Sequence, residues 1–84
     1  MLNSPFIVAR ARAFAKTLTS NPAESEQARI RRAYLTLYSR EPDITEMAIA
    51  VKFVSKPAMA GAKMTRWEEY AQILLSSNEM LFVD

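Results

Sequence analysis

The chain contains no cysteine and no histidine. The first absence excludes disulfides and thiolate metal sites and leaves the redox compartment unreadable. The second removes imidazole acid–base catalysis, and the two together remove haem attachment through a cysteine-containing motif and the commonest zinc sites. Carboxylates remain the only side chains for a hard cation. A single glycine leaves no Gly-rich loop to cradle a phosphate, and the serine and threonine hydroxyls have no oriented base beside them. No run approaches the ~18 apolar residues of a membrane span. On these grounds the chain is read as non-enzymatic, with no catalytic residue, no metal, no cofactor and no small-molecule substrate.

Acids are also missing from the start: none occurs before Glu24, whereas Arg10, Arg12 and Lys16 do. The first quarter is therefore basic, although a net charge of +2 is too small for a strong overall field. An acid-free, Arg-containing amphipathic start leaves a mitochondrial-type presequence as an alternative. A secretory signal fits worse, because the apolar run Phe6 to Ala9 is short and Arg10 and Arg12 follow it rather than precede it.

What remains is helix-forming. In 84 residues, half of them apolar, charges of both signs are interspersed, as in one small globular domain spanning 1–84. The expected fold is all-α, four helices near 5–18, 23–39, 44–54 and 66–77 in an orthogonal or bundle-like domain. Ser4 with Pro5 predicts the first start, and Ile7, Ala11, Phe14, Ala15 and Leu18 fall on one face. Asn21-Pro22 with Glu24 predicts the second, with Ile30, Ala33, Tyr34, Leu37 and Tyr38 inward and Arg29 and Arg32 outward. Pro42 stops that helix near Arg40, and Asp43 with Glu46 opens the third as a capping box.

The third helix carries apolar residues on two sides, Ile44, Met47, Ala48 and Val51 on one and Ile49, Ala50 and Phe53 on the other, which predicts a central, sandwiched position. From Ser55 to Met64 the pattern lapses into a loop, with Met59 and Met64 folding back onto the core or, alternatively, lining a partner groove. Thr65 with Glu68 is a second capping box, followed by Trp67, Tyr70, Ala71, Leu74 and Leu75 inward. The final residues, 79–84, are too apolar for a free tail and are expected to dock.

Two charged groups compete for a functional role. Glu41, Asp43 and Glu46, with Glu68 and Glu69 as a second set, have the residue types for acid–base work or Ca²⁺, but they sit where helix caps are wanted and lack the Gly-containing loop of an EF-hand. The cations Arg10, Arg12, Lys16, Arg29 and Arg32 are the candidate set for a nucleic-acid surface. Helix two, the corner and helix three invite comparison with a helix-turn-helix, yet Asp43 and Glu46 would meet the phosphates and repel them.

Several stretches carry a family resemblance: Leu2-Asn3-Ser4-Pro5-Phe6, the run Arg29-Ile30-Arg31-Arg32-Ala33-Tyr34 leading into Arg40-Glu41-Pro42 and Glu46, Trp67, and the ending from Leu74 to Asp84. Together they resemble the C-terminal end of the domain-of-unknown-function family 1553 (DUF1553), large planctomycete proteins often joined to cytochrome-c-like modules. The family's usual corner has Gly where Ser39 stands and Pro where Ile44 stands. The resemblance implies a piece of a larger exported protein, periplasmic or extracytoplasmic, with no established catalytic residue and any haem in modules outside this chain. Its expected partners are the rest of that parent or further copies of itself. The first functional expectation is therefore a structural or interaction domain; the alternative is a nucleic-acid binder using the cations named above.

Overall fold

Ser4 and Pro5 open α1 (Pro5–Leu18) in the computed structural model, which describes residues 4–77. The Ser4 hydroxyl accepts from the amides of Phe6 at 3.2 Å and Ile7 at 3.5 Å, satisfying donors that have no partner within the helix. At the other end the amide and hydroxyl of Thr19 both donate to the Ala15 carbonyl, at 2.9 and 2.8 Å.

The second helix, α2 (Glu26–Tyr38), starts later than position 23. Asn21 does accept from the Ala23 amide at 3.0 Å, but the Glu24 amide closes onto the Asn21 carbonyl at 3.1 Å and the turn ends there. Ser25 is the N-cap, accepting from the Ala28 amide at 3.1 Å. The reason is tertiary: Arg32 binds the Glu24 carboxylate and donates to the Leu18 carbonyl at 3.0 Å, holding the turn back over the end of α1. Arg32 is consequently half-buried rather than on an outer face.

Ser39 ends α2 in the left-handed region, φ 59° and ψ 30°, with its amide donating to the Leu35 carbonyl at 3.2 Å. Glycine is the residue that adopts such angles without a Cβ penalty. Asp43 and Glu46 then cap α3 (Ile44–Ser55) reciprocally, at 2.7 Å from the Glu46 amide to Asp43 and 2.9 Å from the Asp43 amide to Glu46. Thr65 and Glu68 repeat the device at α4 (Arg66–Ser77), at 3.1 and 2.9 Å. In the intervening loop the only glycine, Gly61, has φ 80° inside a turn closed by the Ala62 amide on the Met59 carbonyl at 3.0 Å.

Packing follows from side-chain size. Ala11 and Ala15 of α1 meet Ala71 of α4, so the two backbones approach closely, and Leu75 completes that cluster. The larger cluster joins all four helices through Leu18, Ile30, Tyr34, Val54, Tyr70 and Leu74, with Leu18 and Ile30 fully buried. Around Tyr70, the rings of Phe53 and Trp67 lie at 6.0 and 6.1 Å, the latter edge-to-face.

Two expectations are corrected. Helix α3 packs on α2 and α4 but is neither enclosed by them nor central: only Ala50 and Val54 are buried, while Ile44 is 90% and Ile49 65% exposed. Each helix packs on two others, and the most extensive contact is between α1 and α4, where small residues meet. Met59 does not fold back either, being 79% exposed beside the Gly61 turn, whereas Met64 does pack against the alanine cluster. The apolar segment 79–84 and its docking lie outside the described residues.

Candidate functional site

The corner between α2 and α3 brings the densest set of polar and aromatic groups together. Because Ser39 turns left-handed, Arg40 is aimed across the corner, where Nη1 and Nη2 donate to Oε1 and Oε2 of Glu46 at 2.8 and 2.9 Å. Its guanidinium carbon also lies 5.4 Å from the Tyr34 ring centroid and 5.9 Å from that of Tyr38. The Arg40 hydrogen bonds, followed by the Asp43 amide, hold the Glu46 carboxyl down at about 2. The same pair raises the Arg40 guanidinium above its ordinary value.

Behind this ion pair is an open cleft of about 540 Å³, lined among others by Tyr34, Tyr38, Tyr70, Ile49 and Leu74. The Tyr34 and Tyr38 rings meet edge-to-face at 5.1 Å, and the Tyr38 hydroxyl donates to the Leu74 carbonyl at 2.9 Å. The Tyr70 hydroxyl is buried and interacts with that of Tyr34, outside full hydrogen-bonding geometry. Burial pushes the phenols of Tyr34 and Tyr70 up, Tyr70 further. Both therefore stay neutral at physiological pH, and Arg40 is already matched by Glu46. The cleft offers aromatic surface and a preformed ion pair, with no group poised to exchange a proton near neutrality.

The candidate cations separate into two kinds. Arg10, Arg12 and Lys16 are exposed on α1, Arg10 over the Phe6 ring at 5.5 Å and Arg12 within 3.5 Å of the Lys63 carbonyl. Arg29 and Arg32 are engaged in the fold. Arg29 donates to the Asn21 carbonyl at 2.9 Å and lies 5.6 Å from the Trp67 ring, and Arg32 is held by Glu24 and Leu18. Hydrogen bonding to Arg32 lowers the Glu24 carboxyl below its usual range.

The acids are distributed in the same way. Asp43, Glu46 and Glu68 cap helices, Glu69 pairs with Arg66 at 2.8 Å and Glu41 with Arg31 at 3.5 Å. Among the described residues no group of three carboxylates is placed to hold a metal ion. A second groove, between α2 and α3, has Met47 and Val51 inside and Ile44 and Ala48 along its rim, with Arg31 and Lys52 at its edges. No helix among the described residues is long and apolar enough to cross a membrane.

Each tyrosine was legible as an inward-facing residue from its helical spacing, but their convergence on one cleft was not, since it depends on how α2 and α4 cross. Arg66 was missed altogether. It sits at the first position of α4 and carries no pattern that marks it.

Comparison with known proteins gives one family match: the sequence model described as PSD1, protein of unknown function (DUF1553), matches residues 1–54, which takes in α1, α2, the corner and nearly all of α3. No curated protein and no solved structure matches the chain.

Proposed function

The chain belongs to the DUF1553 family, and from that premise we propose that it is a non-catalytic structural or protein-interaction domain, 1–84, of a larger exported protein. The observation that carries this is the amount of large apolar surface left uncovered on a small core: Phe6, Ile44, Ile49 and Met59 are all exposed. Residues scattered singly are normal on a soluble surface, but Ile44 continues with Ala48, Met47 and Val51 along one groove between α2 and α3, and that continuity reads as an interaction surface. The polar groups support the same role, since Glu24, Glu41, Asp43, Glu46, Glu68 and Glu69 and the side chains of Arg29, Arg31, Arg32, Arg40 and Arg66 are engaged in caps, pairs and hydrogen bonds that hold the fold. Partners are the remaining segments of the parent or further copies of this chain.

The test is a binding measurement by calorimetry between this chain and the remainder of the parent produced separately. Saturable binding with a negative heat-capacity change is expected, because apolar surface is buried. The absence of both binding to the parent and self-association at high concentration would remove the proposal.

A nucleic-acid role retains one favourable observation, the exposed Arg10, Arg12 and Lys16 on an acid-free helix. Arg29 and Arg32 contribute little to it while their donors are held inside the fold. Binding of duplex DNA or RNA that weakens steeply with salt would support this role, and no shift at low salt would remove it.

A further inference from the structure

Along α3 the uncovered strip is self-complementary. Ile44, Ala48 and Val51 follow one another at intervals of four and three, one edge of the helix, with Met47 beside them toward α2. Ile44 and Ala48 are exposed and Val51 is half-buried. Charge is divided by sign along the same strip: Asp43 stands at the N-terminal end, beside a Glu41 already matched by Arg31, so that end keeps a net negative charge, and Lys52 stands in the last turn. Asp43 and Lys52 are nine residues apart, about 13 Å along the axis, and the midpoint between them falls beside Ala48.

An isologous two-fold contact requires each end of a patch to fit its opposite end. Reversing α3 about an axis at Ala48 lays Ile44 against Val51 of a second copy and Asp43 beside Lys52 of that copy. The small Ala48 at the crossing lets the backbones approach, and the helix dipoles run antiparallel. A parallel arrangement would place like charges opposite each other and is disfavoured. We propose that this face of α3 binds a second copy of the chain, through an antiparallel α3–α3 contact. This rests on the interaction-domain role above and names the partner for this one surface. A single helix face falls short of the ~800 Å² that each partner gives to a standard interface, so the dimer is a weak one.

Sedimentation equilibrium of the 84-residue chain, of mass 9.5 kDa, tests it. The mass is expected to rise toward twice that value between about 10 µM and about 1 mM. Ile44→Glu should abolish the rise while keeping the far-ultraviolet circular dichroism and the melting temperature, because Ile44 is 90% exposed and an acid at a helix start is favourable. Lys52→Glu should weaken association roughly tenfold at low salt and by less at high salt. A mass that stays at 9.5 kDa over the whole range, or an Ile44→Glu chain that associates as tightly as the parent, overturns the dimer. If the remainder of the parent protein still binds in that case, only the self-pairing is lost; if it does not, the interaction-domain role fails as well.

Discussion

Arg66 lies over Phe53, its guanidinium carbon 3.8 Å from the ring centroid, and donates from Nε and Nη2 to the carbonyl oxygen of the same residue at 3.2 and 3.1 Å. Phe53 belongs to the last turn of α3, where its carbonyl otherwise accepts only a long bond, 3.4 Å, from the Lys56 amide. The first residue of α4 thus closes the end of α3, and Glu69 holds the guanidinium in place at 2.8 Å. The exposed loop between the helices is spanned by this clamp.

Replacing Arg66 by Lys should lower stability by about 1–3 kcal/mol, since an ammonium can neither cover the ring as a guanidinium does nor donate twice to one carbonyl while pairing with Glu69. Urea denaturation of the two chains measures it. Coincident midpoints would show that the clamp contributes nothing.

Ser39 is the one non-glycine residue with positive φ among those described, at 59°. A left-handed L-residue costs about 1–2 kcal/mol, part of which glycine returns through the freedom of its unfolded chain. Ser39→Gly should therefore raise stability by about 0.5–1 kcal/mol. Ser39→Val should lower it, and the pair of thermal melts separates a true left-handed end from an incidental one.

Stability should also fall in acid through Glu46. Its carboxyl is depressed from 4.5 to about 2, so the native state holds it charged more strongly than the unfolded chain does. The sign follows: the contribution is fully present above about 4.5 and is lost as pH falls from there toward about 2. Glu24, also lowered, acts in the same direction. Comparing denaturation midpoints at neutral pH and in acid, the drop should be smaller for Glu46→Gln than for the parent. Most of the ion pair's effect should be screened by added salt, because Arg40 is exposed.

A chain ending at residue 54, where the family match stops, should not fold. Its α1 has only a slight contact with α2, and the partner of Ala11 and Ala15 is α4. Circular dichroism should show low helicity for 1–54 and cooperative melting for 1–84. Within the full chain Ile30→Ala should cost about 2–4 kcal/mol, and Leu37→Ala and Val51→Ala less, as both are only half-buried.

Local signals in the sequence were read well wherever one side chain meets its own backbone. Ser4, Asp43 with Glu46, and Thr65 with Glu68 satisfy amides within three residues, so their spacing alone locates the starts of α1, α3 and α4. The start of α2 was misplaced by the same logic: Asn21 has the right chemistry, but Arg32 reaches back to Glu24 and Leu18 and hands the cap to Ser25. The pairing of Arg40 within the corner was legible because Glu46 lies just across Pro42.

Helix count, three of the four starts, the inward faces of α1, α2 and α4, and the absence of imidazole and thiol chemistry were determined by the sequence itself. They depend on residue type and on contacts a few positions apart. Which helices pack most extensively, how far α3's two apolar sides are covered and where Met59 goes were decided only by the tertiary structure. Apolar character says that burial is favourable, but the close approach of Ala11, Ala15 and Ala71 makes α1 against α4, rather than any contact of α3, the most extensive in the domain. The cluster has room for Ala50 and Val54 and leaves Ile44 and Ile49 outside on different sides of α3, and the strip through Ile44 is where a partner is proposed.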